Sequence, residues 1–159
     1  MILLRHAECY QDYENDPHLT KFGIDKIRQF SKILKKLDIK EIFCSTKKRC
    51  EQTAKILINI LGLCNSQSYE ILKEIHPDTL CEISPLISSD YLRANIVYEY
   101  LIIPNINKKI VIISHQNLLL FIFKRIDNSL CINPFEEYFS GVILTTNEQG
   151  IIWKPLFIC

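Results

Sequence analysis

A chain of 159 residues with 48% hydrophobic and 23% charged side chains is long enough for one domain with its own core, and residues 1–159 are expected to form a single domain. Nineteen basic against eighteen acidic residues leave a net charge of +1, so no global field draws the chain to nucleic acid or to an anionic membrane, and any anion has to be held by a local site. Seven cysteines without a C-x-x-C pair supply neither a disulfide framework nor a zinc spacing and read as reduced, cytosolic thiols.

The apolar run MILLR has the pattern of a buried strand that stops abruptly at Arg5 and His6. Because that strand starts at Met1, no signal peptide is expected ahead of it. From Thr20, a fitting N-cap, TKFGIDKIRQFSKILKKL sets Phe22, Ile27, Phe30, Ile33, Leu34 and Leu37 near one helical stripe. KEIFCS reads as a second buried strand, and TKKRCEQTAKILINILGL as a helix that stops at Gly62. SYEILKEIHPD reads as a third strand followed by a turn at Pro77, and residues 88–103 as a helix before Pro104. KKIVIISH is the clearest strand, QNLLLFIFKRI its following helix, and GVILTTNEQGIIWKP a hairpin turning near Asn147 to Gly150. The apolar runs IVII and LLLFIF, split by Ser114 to Asn117, fall short of the roughly 20 residues of a membrane span. A soluble, cytoplasmic protein is expected.

Strands alternating with helices predict a three-layer α/β/α sandwich around a mostly parallel central sheet, with the C-terminal β-hairpin added antiparallel toward one edge. Ligands of such sheets bind beyond the carboxyl ends of the strands. Three strands end in polar residues there: Arg5 with His6, Ser45 leading to Arg49, and Ser114 with His115. Their convergence brings together two guanidinium groups and two imidazoles, a grouping suited to a phosphoryl group. Arginine offers a permanently charged fork that binds phosphoryl oxygens in bidentate fashion. A neutral imidazole attacks phosphorus through one nitrogen when a hydrogen bond holds the other. A second imidazole, protonated, donates to the equatorial oxygens without a metal.

LLRHAE resembles the N-terminal Arg-His-Gly signature of the histidine phosphatase (phosphoglycerate mutase-like) superfamily. LTKFGIDKIRQFSKIL is similar to its Leu-Thr-x-x-Gly helix, CSTKKRCEQTAKIL to its Ser-x-x-x-Arg-x-x-Gln-Thr-Ala segment, and VIISHQ to its second histidine strand. The resemblance spans nearly the whole chain, and the short length and the ILKEIHP segment bring it nearest to the small SixA-type phosphohistidine phosphatases. It implies that His6 accepts the phosphate, that Arg5 and Arg49 bind the phosphoryl group, that His115 stabilises its charge, and that no metal or cofactor takes part. Ala7 stands where the family has glycine.

Cleavage of a phosphoester expels an alkoxide and calls for an acid. Glu74 is the first candidate by position, followed by Glu8, Asp78 and Glu82, each equally readable as a solvated loop carboxylate. Imidazole, with a solution pKa of about 6.5, leaves far more easily. That favours phosphohistidine in a protein as the substrate over a small phosphomonoester such as a sugar phosphate or a nucleotide. A catalytically inactive phosphate-binding interaction protein on the same fold is the reading from another class. His18 and His76, beside Pro17 and Pro77, read as loop residues, and Gln52 and Thr53 as helix packing. A cysteine-phosphatase loop from Cys44 to Arg49 is one residue short and lacks glycines. A metal cluster of His6, Glu8, Asp12 and His18 is opposed by the charge of Arg5. The expected protein is a monomer without nucleic-acid or membrane partners, whose activity falls on the acid side as His6 is protonated.

Overall fold

Where the polar strand ends meet is decided by sheet register. The computed structural model describes residues 1–11, 16–64, 66–75, 89–129 and 132–156. Four parallel strands, β1 (Ile2–Arg5), β2 (Glu41–Ser45), β3 (Ser66–Tyr69) and β4 (Ile110–Ser114), are joined by the hairpin of β5 (Gly141–Asn147) and β6 (Gly150–Leu156), whose β5 runs antiparallel to β1. The order across the sheet is β3-β2-β4-β1-β5-β6. Arg5 pairs with Ser114 of β4, and Ile113 of β4 with Cys44 of β2. His6, Ser45 and His115 therefore leave the sheet along one carboxyl edge.

Alternation along β1 and β4 sends apolar side chains to both faces, and both faces are covered by helices. Ile2, Leu4, Val111 and Ile113 pack with Ile27, Phe30, Leu34, Ala54 and Leu57 from α1 (Lys21–Lys35) and α2 (Lys48–Leu61). Leu3, Ile110 and Ile112 pack with Ala94, Leu118, Ile122 and Phe123 from α3 (Ser89–Ile96) and α4 (Gln116–Ile126). The α/β/α sandwich and its C-terminal hairpin are as expected from the sequence. Thr20 caps α1, its hydroxyl accepting the Gly23 amide at 3.0 Å. α2 stops at Gly62, whose φ of +70° is readily open to glycine.

Three local expectations differ. The third strand begins earlier, at Ser66, and gives way at Glu70–Leu72 to a 3-10 turn. That turn buries Leu72 and presents its carbonyl to the Ser114 hydroxyl at 2.6 Å. The helix expected over 88–103 is α-helical only to Ile96, then widens into a π turn (Val97–Ile102) and closes as a 3-10 turn (Ile103–Asn105). The widened turn brings Val97, Leu101 and Ile102 all inward. On α1, Phe22 and Ile33 of the expected stripe are exposed, because the buried face runs instead through Gly23, Ile27, Phe30, Ser31 and Leu34. Among the described residues no helix is long and apolar enough to cross a membrane.

Candidate active site

The carboxyl edge gathers four of the five candidate site residues. His6 is 5% exposed and His115 is fully buried, with their ring centroids 5.2 Å apart. Arg49, in the first turn of α2, reaches both: its Nε donates to His6 Nε2 at 3.1 Å, and its Nη2 to His115 Nδ1 at 3.0 Å. A guanidinium only donates, so both of those ring nitrogens are unprotonated. The Nδ1–H of His6 donates to the Ala7 carbonyl at 2.8 Å, and His115 Nε2–H donates to Ser45 Oγ at 3.0 Å. Each imidazole is thus held as one neutral tautomer with its free lone pair turned toward Arg49.

Electrostatics agree with this assignment. Burial, then the charges of Arg49 and Arg5, pull His6 down to about 3. Burial, then His6 and Arg49, hold His115 well below the usual imidazole range. Arg5 lines the same edge. Its Nη1 donates to the carbonyls of Phe135, at 3.1 Å, and of Glu136, while its Nε is buried and, among the described residues, without a hydrogen-bond partner. A buried guanidinium donor left open is costly unless a ligand oxygen fills the position. Two cationic forks and an unprotonated imidazole nitrogen make this edge able to hold an oxyanion beside a nucleophile.

Glu74 is anchored elsewhere than a free acid would be. Its Oε1 accepts three amides, from Ile75, Asn117 and Leu118, each at 3.1 Å, and so caps the start of α4. Burial pushes its carboxyl up, against the opposing pull of those amides and of Arg5. Glu8 accepts from the Thr20 hydroxyl at 2.8 Å. Asp12, His76, Asp78 and Glu82 lie outside the described residues. Gln52 accepts the Leu19 amide at 2.9 Å and meets His18, so both bind loop to helix. Cys44 lies against Ser68 at 3.4 Å, and burial pushes its thiol up, which disposes of a thiolate phosphatase loop there. Among the described residues no group of three or more potential metal ligands comes together.

Sequence reasoning missed Asp16, Cys50 and Tyr138. Asp16 pairs with Arg49 Nη1 at 3.2 Å and accepts the Lys48 amide at 2.8 Å, capping α2 from a distant loop. Cys50 places its thiol 3.6 Å from His115 Nε2. The Tyr138 ring covers the Arg5 guanidinium at 4.2 Å and lies 5.6 Å from the His6 ring. Asp16 had one weak signal, an acidic residue just ahead of the Leu-Thr helix start; Cys50 and Tyr138 had none.

A mostly parallel sandwich with paired guanidinium and imidazole groups at its carboxyl edge defines a class of α/β protein whose strand ends can hold an oxyanion. The family model of the histidine phosphatase superfamily (branch 1) matches residues 1–85, and the chain belongs to that superfamily. No curated protein shows significant sequence similarity to the chain. Its fold is similar to that of the protein histidine phosphatase SixA complexed with tungstate, at 20% identity over 96% of this chain and 92% of that one, with a TM-score of 0.72. It is similar as well to a phosphoserine phosphatase mutant from Entamoeba histolytica in complex with phosphoserine, at 18% identity over 99% and 96% with a TM-score of 0.69. A mycobacterial glucosyl-3-phosphoglycerate phosphatase matches at 15% identity over 98% and 96%, with a TM-score of 0.69.

Proposed function

We propose that the protein is a metal-independent phosphatase that forms a phosphohistidine on His6, and that its substrate is phosphohistidine carried by another protein. The reading rests on one observation above others: His6 is neutral, with Nδ1–H committed to Ala7 and the Nε2 lone pair facing the donors of Arg49. A phosphoryl group entering between them takes the donors of Arg49 and the open Nε of Arg5. Nε2 attacks phosphorus, the N–P bond forms, and the bond to the leaving group breaks. Water then cleaves the N–P bond to release phosphate. His115 gains a proton more readily once the dianion is bound and then donates to its oxygens.

The leaving group separates two substrate classes. With Glu74 tied into the α4 cap, a substrate that leaves as imidazole needs least from it. The SixA likeness fits that class. A small phosphomonoester is the second reading, favoured by the upward push on the Glu74 carboxyl, which suits a proton donor.

The test compares catalytic efficiency on a histidine-phosphorylated carrier protein with a panel of small phosphomonoesters, for wild type, His6→Ala and Glu74→Gln. Phosphohistidine preference that disappears in His6→Ala and survives Glu74→Gln supports the first reading. Preference for one ester, lost in Glu74→Gln, moves the assignment to the second. No turnover of either, with phosphate still bound, identifies a binding protein.

A further inference from the structure

The segment after α4 returns to the site under unusual constraint. Phe139 adopts a φ of +60°, a left-handed conformation that a bulky residue rarely takes. The turn is held at every side: the Phe139 amide donates to the His6 carbonyl at 3.1 Å, the Arg5 amide to the Ser140 carbonyl at 2.9 Å, and Lys26 Nζ to the Tyr138 carbonyl at 2.8 Å. It sends the Phe139 ring fully into the core beside Phe30. Tyr138 is left on the other side, over the Arg5 guanidinium and against the His6 ring. Strain of this kind persists where the surroundings over-determine it, and it concentrates at functional sites.

The strap constrains Arg5 from two directions. Carbonyls of Phe135 and Glu136 occupy Nη1, and the Tyr138 ring covers the guanidinium face. Nε stays buried and open. We infer that Tyr138 is a positioning residue, whose ring fixes the plane of Arg5 so that Nε is the donor offered to a phosphoryl oxygen. The aromatic face carries this role, by cation–π contact with the guanidinium. Its hydroxyl is dispensable. The inference rests on the reading of Arg5 as a phosphoryl ligand.

Calorimetric titration of the full chain with inorganic phosphate reads the role without turnover. Tyr138→Phe keeps the ring and is expected to bind within about twofold of wild type, and Tyr138→Ala about tenfold more weakly. In an Arg5→Gln background the loss on Tyr138→Ala is expected to vanish, since the residue through which the ring acts is gone. Should Tyr138→Ala fail to fold, Tyr138→Leu keeps side-chain bulk without a π face and is expected to show the same loss. Wild-type binding by Tyr138→Ala or Tyr138→Leu overturns the proposal. So does an equal loss in Tyr138→Phe, or a loss undiminished in the Arg5→Gln background. A wild type that binds phosphate and hydrolyses nothing sinks the phosphatase reading alone, because the Tyr138 series remains measurable.

Discussion

The buried hydroxyl of Thr53 accepts the amide of Ala7 at 3.2 Å and donates to the Arg49 carbonyl at 2.7 Å. One side chain thus ties the residue whose carbonyl orients His6 to the turn of helix that carries Arg49. Thr53→Val keeps the shape and removes both bonds, leaving the Ala7 N–H unpaired in the interior. The expected cost is about 1–3 kcal/mol. Urea unfolding should show a lower midpoint at unchanged slope, and a midpoint equal to wild type would refute the coupling.

Gly23 tests which of two effects wins in α1. Helix propensity alone makes Gly→Ala favourable by about 1 kcal/mol in a helix interior. A Cβ at Gly23, however, would lie 2.3 Å from the Glu8 carbonyl oxygen, a backbone atom of the loop leaving β1. That backbone is pinned by the Thr20 amide at 3.0 Å. Overpacking of this kind costs about 1–3 kcal/mol, so Gly23→Ala is expected to lower the melting temperature. A stabilised variant would show that the loop yields freely.

How much of this was legible beforehand follows from where the signals sit. Arg5, His6, Arg49 and His115 were readable because each ends an apolar strand or follows one in a spaced motif, and parallel register then forces the ends together. Thr20 was legible as an N-cap from its place ahead of the helix, whereas the steric reason for Gly23 shows only in the fold, where the Glu8 backbone closes on it. Tyr138 was not legible, since its place depends on the left-handed turn at Phe139 and on carbonyls of its neighbours, neither of which leaves a trace in residue type. Glu74 was found as a position, but two of its three amide donors, Asn117 and Leu118, come from the start of α4, which only the folded chain brings near.

Asp16 holds Arg49 from the side away from the histidines, through Nη1, and caps α2 at the Lys48 amide. Both groups of the ion pair are largely shielded, so its contribution exceeds that of a surface pair. Asp16→Ala frees the guanidinium to rotate and removes a cap of about 1 kcal/mol. Steady-state kinetics on the preferred substrate should show a fall in kcat/KM of about tenfold, while circular dichroism retains the wild-type fold. Unchanged kinetics would mean that the two imidazoles alone set Arg49.

The histidines shift toward lower pH the pH dependence expected from the sequence. There, protonation of His6 was expected to cut activity on the acid side; with His6 at about 3, its acid limb moves below pH 5. Once the substrate's own phosphate ionisation, near a pKa of about 6, is divided out, kcat/KM should be flat in His6 from pH 8 to pH 5. Stability should not be flat. Unfolded, each imidazole binds a proton below about pH 6.5, whereas folded His6 and His115 stay neutral, both pKa values being depressed by burial. The unfolded state therefore takes up more protons, and stability is full above pH 6.5 and is lost as the pH falls toward the folded value. Between pH 7 and pH 5 the loss amounts to at most about 2 kcal/mol per histidine. Urea unfolding at the two pH values measures it, and His6→Gln should recover its share. Equal stability at both, in wild type, would mean that the two imidazoles are not held neutral.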